Sequence, residues 1–525
     1  MLLPRLDAAV SILREVFGTA PSPPDGYRRL HAAEVAALER ACNSSPAWDL
    51  LLVPVEVQGL DRVRGCLFDG RVVLRGFTRD TDIGHGQTLP SGLMNSSFKG
   101  CCFLGDDCLI RDTTLVRDVL VGRGVSVIGC GVVMSDGVSS FGNGETVLLG
   151  PESGGDRGVP MFLGARYGDL IRAAVDRSDC DFRDELEARS RAVTAQFSLP
   201  TSVLCDGVVL SRCGLVRDVF LGPCCVVAAS DVECCTFNST AADPILLSGG
   251  CSLHTCVLAG ANEIGGPCVV RRSFLLDHAA VSIGANVSNC VIGPDSSVSG
   301  AECLHSMIGP FTGIHHSSLV ISCTWPVGRG NIAYGAKVGA NHTGRLNDQE
   351  HLSGEGCFFG LGVQIKYPFN TTQAPYSLFA AGTICLPQRI SFPFSLISGP
   401  DIASGADAVL SPALNVIRPG WMLLASPYTL VRTEYKINKR RKSEKYSTDH
   451  ALFRPWIVYA MMQARRTLKG IARSTNEDSD PVYTERDDAG IGKNTLRESD
   501  RARGVLAYTV ALRKYALEVC LLWLL

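Results

Sequence analysis

Aliphatic residues return every six positions along much of this chain, a period that belongs to neither common secondary structure. Ile292, Val298 and Leu304 keep the step, as do Ile308, Ile314 and Val320. Earlier runs are Leu104, Ile110 and Val116, then Leu115, Val121, Val127 and Val133, then Val203, Val209, Leu215, Leu221 and Val227. A helix repeats its face about every 3.6 residues and a strand every second residue, so a sustained six needs another geometry. Very short parallel strands supply it. Each hexad makes one flat face, three hexads close a triangular coil, and stacked coils bury the anchors in columns. Successive coils then lie about 4.8 Å apart, as strands do in any sheet.

Glycine follows the anchor in Leu104-Gly105, Val121-Gly122, Ile283-Gly284, Ile292-Gly293 and Ile308-Gly309, among others. These glycines are assigned the positive φ that sharp corners need. On this reading VSIGANVSNCVIGPDSSVSG (281–300) is two corners of a stacked coil, with Ile283 and Ile292 both pointing inward. A β-sandwich with glycine as an ordinary turn former is the competing reading, and several runs in phase argue against it.

Composition narrows the class of partner. Apolar residues are 46% of the 525 and charged residues 19%, with a net charge of −2, so nothing global draws the chain to nucleic acid. None of the 22 cysteines forms a C-x-x-C pair, and most sit among Val, Ile and Leu as small hydrophobes. Arg5, Asp7, Arg14 and Glu15 interrupt the first apolar stretch, so no export-signal core can be drawn and a cytoplasmic protein with reduced thiols is expected. The final EVCLLWLL is too short to span a bilayer.

Five regions follow from the pattern. Residues 1–58 hold two amphipathic helical stretches and form an N-terminal helical cap. Residues 59–150 are a first β-helix segment, 151–200 a helical insertion, and 201–410 a second β-helix segment carrying a projecting polar loop at 344–356. The stretch from Tyr367 to Phe394 is too rich in Pro and aromatics for pure hexads, and 411–525 is a helical C-terminal domain.

Seven of the ten histidines lie between His254 and His351. Imidazole titrates near neutrality and suits proton transfer from an attacking amine or hydroxyl. Two stretches stand out: HHSS (His315, His316, Ser317, Ser318) and GANHTGR, which holds Asn341, His342 and Arg345. A surface or corner role competes for each histidine.

The hexads resemble those of left-handed parallel β-helix proteins, a hexapeptide-repeat superfamily dominated by acyl- and acetyltransferases. More narrowly, GYRRLHAAEVAALE (26–39), ESGGDRGVPMF (152–162), IGPFTGIHHSSLVIS (308–322), YPFNTTQAPYSLFAAGTICLPQRISFPFSLI (367–397) and VYTERDDAGIGKN (482–494) resemble a family of long, functionally uncharacterised bacterial β-helix proteins. The superfamily resemblance implies the left hand, acyl-CoA or acetyl-CoA as co-substrate, and an acceptor amine or hydroxyl on a sugar or nucleotide-sugar. It implies a histidine base, here His316, His342 or His315, with Asn341, Arg345 and Ser317 binding substrate, and a homotrimer with sites between subunits.

Other readings stay open. A non-catalytic β-helix scaffold fits the interrupted solenoid and the helical additions. A metal enzyme of the gamma-type carbonic anhydrase kind is weaker, because His315 and His342 do not reproduce that family's compact pair, and no metal is expected. There is no G-x-S-x-G elbow and no nucleotide-binding Gly-rich loop near the N-terminus. The basic run Lys436 to Lys445 reads as a solvated helix face or linker, or else as an anion site for CoA phosphates or a sugar nucleotide.

Overall fold

A computed structural model describes every residue except 1–2, 19–22, 85, 151–156, 340–349, 401–410, 412, 447–450, 472–479 and 525. The chain divides into two compact units, residues 1–147 with 159–284, and residues 148–158 with 285–525. Both are parallel β-solenoids flanked by helices. The first carries α1 (Leu3–Val16), α2 (Ala32–Arg40), α3 (Tyr167–Val175) and α4 (Cys180–Phe197). The second carries α5 (Trp421–Ala425), α6 (Pro427–Arg440), α7 (Pro455–Gly470) and α8 (Glu498–Leu524).

In the first unit one interior column runs Leu93, Ile110, Val127, Leu210, Val227, Leu247, Ile264 and Val281, each residue paired with the next in parallel register. Most steps are 17 residues, one fewer than three whole hexads. Residues with positive φ mark the corners and explain the missing one. Gly207, Arg212, Asp218 and Cys224 follow one another at intervals of five, six and six, so one face of the coil is short. The long step from Val127 to Leu210 accommodates α3 and α4. Parallel pairing starts with an isolated bridge of Ser44 on Leu67, followed by the strand pair Leu51 on Val72.

The outer surface of this unit is apolar along one face and does not stay bare. Leu52, Val73, Phe103, Leu120, Val203 and Phe220 point outward and form a cluster with Leu6, Ala9 and Val16 of α1. Val203, which keeps the hexad period, therefore belongs to this outer cluster. The N-terminal helix thus covers a side of the solenoid. Hydrophobic burial there, at about 25 cal/mol per Å², holds α1 in place.

The second unit continues the same logic with larger side chains. Its column runs Val298, Ile314, Ile332, Phe359, Phe379 and Ile397, all fully buried. Phe359 and Phe379 stack with ring centroids 5.0 Å apart. The stretch from Tyr367 to Phe394, expected to be too irregular for hexads, contributes the ladder strands Phe369–Asn370, Leu378–Phe379 and Ile384–Cys385. Aromatic anchors fill the width that Val and Ile fill elsewhere. Of the expected loop at 344–356, residues 344–349 lie outside the described residues, and His351–Leu352 is a ladder strand beside Cys323–Thr324. Leu396–Ser398 meets Asn415–Arg418 in antiparallel register, and Asn494–Arg497 extends that edge, so the last described coil is covered by strands from the helical C-terminal region.

Two assignments in the stretch 281–300 divide. Ile292 is fully buried, but Ile283 is 61% exposed and sits at φ 58°, a corner residue pointing to solvent. Most glycines after an anchor do not turn the chain. Gly105, Gly122, Gly222, Gly293 and Gly309 lack positive φ, which in the last two coils falls to Asp295 and Phe311 instead. Their role is close approach. A Cβ on Gly293 would lie 2.7 Å from the Gly309 carbonyl carbon, and one on Gly309 would lie 2.3 Å from the Gly328 nitrogen.

Ile308→Asp is expected to cost about 4 kcal/mol by burying an unpaired carboxylate, and Ile283→Asp less than about 0.5 kcal/mol because the site is solvated. Gly309→Ala should cost about 3 kcal/mol through overlap with the next coil. Urea-unfolding midpoints of the three variants test the inward, outward and stacking assignments.

Candidate functional site

In the second unit the corner residues of successive coils stack into a column of their own. Asp295, Phe311, Arg329, Gly356 and Tyr376 have φ values of 55°, 55°, 58°, 66° and 57°. All five line a cavity of about 550 Å³, closed on its other side by α6. That volume is within the range of small-molecule sites.

The floor of the cavity is built from buried charge. Glu355, wholly buried, lies 3.2 Å from Arg329 Nη1, accepts the Tyr376 hydroxyl at 2.6 Å and also pairs with Arg454, just before α7. Burial and the adjacent Glu355 carboxylate push the Tyr376 phenol well up, so it stays a neutral donor. Gly356 serves twice: it takes the positive φ, and an added Cβ would meet the Tyr376 ring at 2.3 Å. At the far end of α6, the Asp295 carboxylate accepts the backbone N–H of Lys442 at 3.0 Å and of Ser443 at 3.2 Å, tying the helix terminus to the corner column.

His315 is the histidine that this geometry brings into the cavity. It follows the strand Gly313–Ile314, and its Nε2 lies 2.7 Å from Oδ1 of Asn331, one coil further on. Gly313 leaves the room: a Cβ there would sit 3.0 Å from His315 Nε2. With the amide oxygen accepting, Nε2 carries the hydrogen and Nδ1 offers a lone pair, the form a general base needs.

The other candidates fall elsewhere. His316 is exposed on the corner that follows, and Ser317 occupies that corner at φ 54°, its N–H donating to the Gly300 carbonyl. Neither lines the cavity. Asn341, His342 and Arg345 lie outside the described residues. The concentration of histidines has a structural origin in part. His278 and His305 occupy left-handed corners, a conformation in which His, Asn and Asp are enriched. His305 Nδ1 also holds the Leu148 carbonyl at 2.9 Å, fastening the 148–158 segment within its own unit.

Sequence reasoning did not place Arg329 and Arg432 in a site and left Lys436 and Arg440 undecided. Arg432, Lys436 and Arg440 follow at four-residue steps on the face of α6 that lines the cavity. Burial, then the neighbouring Arg432 and Arg440 charges, hold the Lys436 ammonium below its usual range. The i, i+4, i+8 spacing was the available signal.

Cys357 also lines the cavity, but burial pushes its thiol up to about 11, so it stays protonated at neutral pH. Among the described residues, no three His, Cys, Asp or Glu side chains gather as a metal site, and no helix is long and apolar enough to cross a membrane.

These features define a parallel β-solenoid protein with a cationic, histidine-bearing cavity between a corner column and a helix. The chain belongs to the family described as a domain of unknown function, DUF4954, whose model matches residues 27–472. It is also 24% identical over 453 residues to an uncharacterised protein of Treponema pallidum (strain Nichols), a match covering 84% of this chain and 61% of the relative. The chain thus spans less than two thirds of that relative's length.

His351 supplies a test of the surroundings. It is fully buried, with Nε2 2.6 Å from Ser353 Oγ and the ring stacked on Phe369. Burial lowers its pKa from 6.5 to about 3. The folded state therefore favours the neutral ring, and that stability is complete above pH 6.5 and lost as pH falls toward 3. Wild type should lose about 2 kcal/mol from this group by pH 5. In His351→Phe, urea midpoints at pH 7 and pH 5 should differ correspondingly less.

Proposed function

We propose that the cavity is an acyl-transfer site on a solenoid of the hexapeptide-repeat kind, with acetyl-CoA or another acyl-CoA as co-substrate. The observation that carries the reading is the 2.7 Å His315–Asn331 pair facing a cavity large enough for a small-molecule ligand. His315 Nδ1 accepts the proton of an acceptor amine or hydroxyl as that atom attacks the thioester carbonyl. The tetrahedral adduct collapses by breaking the carbon–sulfur bond, and the imidazolium returns the proton to the leaving thiolate. Asn331 holds the ring in the tautomer and orientation that the step needs.

The acceptor class in this reading is an amino or hydroxyl group of a sugar or nucleotide-sugar. Thiol release from acetyl-CoA, followed with a panel of amino sugars and nucleotide-sugars, is the test. His315→Ala is expected to lower the acceptor-dependent rate 10²- to 10⁴-fold, the usual contribution of a positioned base, with an unchanged melting temperature. An unaltered rate in that variant, or no acceptor-dependent release by the wild type, removes the reading.

A further inference from the structure

The cationic face of α6 has no counterpart in the acyl-transfer chemistry. Arg432, Lys436 and Arg440 line the cavity at four-residue steps, about 6 Å apart along the helix axis. Like charges at this spacing repel, yet among the described residues none of the three has a carboxylate partner. The single acid of α6, Glu434, accepts the Leu452 N–H instead. The carboxylates across the cavity have partners of their own. Asp295 accepts two backbone N–H groups, and Glu355 sits between Arg329 and Arg454. Positive charge is thus concentrated on one wall of a partly enclosed space, where an entering anion meets three cations together.

We infer that this wall binds the diphosphate group of an organic diphosphate ester. The inference rests on the cavity being the ligand site and not on the transfer step. Three cations over about 12 Å of helix exceed the reach of a lone phosphate and match two linked phosphoryl groups. The arginines can each hold two phosphate oxygens through their forked N–H groups. The rest of the ligand has apolar lining in Phe311, Phe358 and Leu378. Both a CoA thioester and a nucleotide-sugar carry such a diphosphate, and that shared chemistry is what the wall selects.

Inorganic pyrophosphate is the minimal probe. In calorimetric titrations at low salt it should bind the full-length protein, and added NaCl should weaken it by screening. The double variant Lys436→Gln with Arg440→Gln is expected to raise the Kd at least tenfold. Lys439→Gln, which does not line the cavity, should stay within twofold. Should the double variant melt early, Arg432→Gln alone, at an exposed position, is expected to raise the Kd several-fold. Coenzyme A and uridine diphosphate then compete for the bound pyrophosphate, and the stronger competitor names the source of the diphosphate.

No binding to the wild type, binding that survives loss of the cations, or displacement by neither ester would overturn the inference. The transfer reading fails separately. Pyrophosphate binding in a protein that releases no thiol supports the anion site and ends the acyl-transfer proposal.

Discussion

At each corner of a coil the backbone must enter the left-handed region, and the rest of the structure is arranged around meeting that demand. An L-residue there costs about 1–2 kcal/mol, and among the described residues 25 that are not glycine take the conformation. The strain therefore recurs with every coil and has to be offset within it. Part of the offset is a continuous ladder of backbone bonds, such as Gly293 N–H to the Ile308 carbonyl at 2.7 Å. Part is the interior, where residues like Val298, Ile314 and Ile332 lose all contact with water. Corner carboxylates add a third. Asp118 accepts the Cys101 N–H at 2.8 Å and Asp218 accepts the Asp136 N–H at 2.8 Å, each joining one coil to an adjacent segment.

The same demand positions the candidate site. A corner residue cannot point into the coil, so a column of corners presents a column of side chains to whatever covers that edge. In the second unit the column is Asp295, Phe311, Arg329, Gly356 and Tyr376, and α6 lies across it. The cavity follows from the mismatch between a helix, whose side chains repeat every 5.4 Å of rise, and a corner column that changes residue type with every coil. His315 enters because Gly313 beside it has no side chain, and Asn331 reaches it because the next coil repeats the same register.

Much of the fold was legible. Anchors such as Ile110, Val127, Ile292, Ile308 and Ile314 are inward residues of short parallel strands, since a buried column needs apolar side chains at a fixed interval and nothing else in a sequence produces one. The period alone did not separate inward from outward residues at every position. Val203 keeps the step yet belongs to the cluster under α1, and Leu215 is only half-buried beside the fully buried Val216. The glycines misled for a physical reason. Absence of a side chain serves both positive φ and close approach, and only the stacking of Gly293 on Gly309 tells which applies. The histidine concentration misled similarly, because corners favour His as well as active sites do.

By itself, the sequence determined the repeat, the buried columns and hence a parallel β-solenoid with helical additions. These depend on period and polarity, which are local properties of the chain. The tertiary structure alone decided the site. Arg432 and Lys436 are about 120 residues from His315 in the chain and meet it in one cavity only because α6 lies over the corner column. Pairing between distant segments leaves no periodic trace, so whether a basic run is a solvated face or the wall of a cavity is settled by packing.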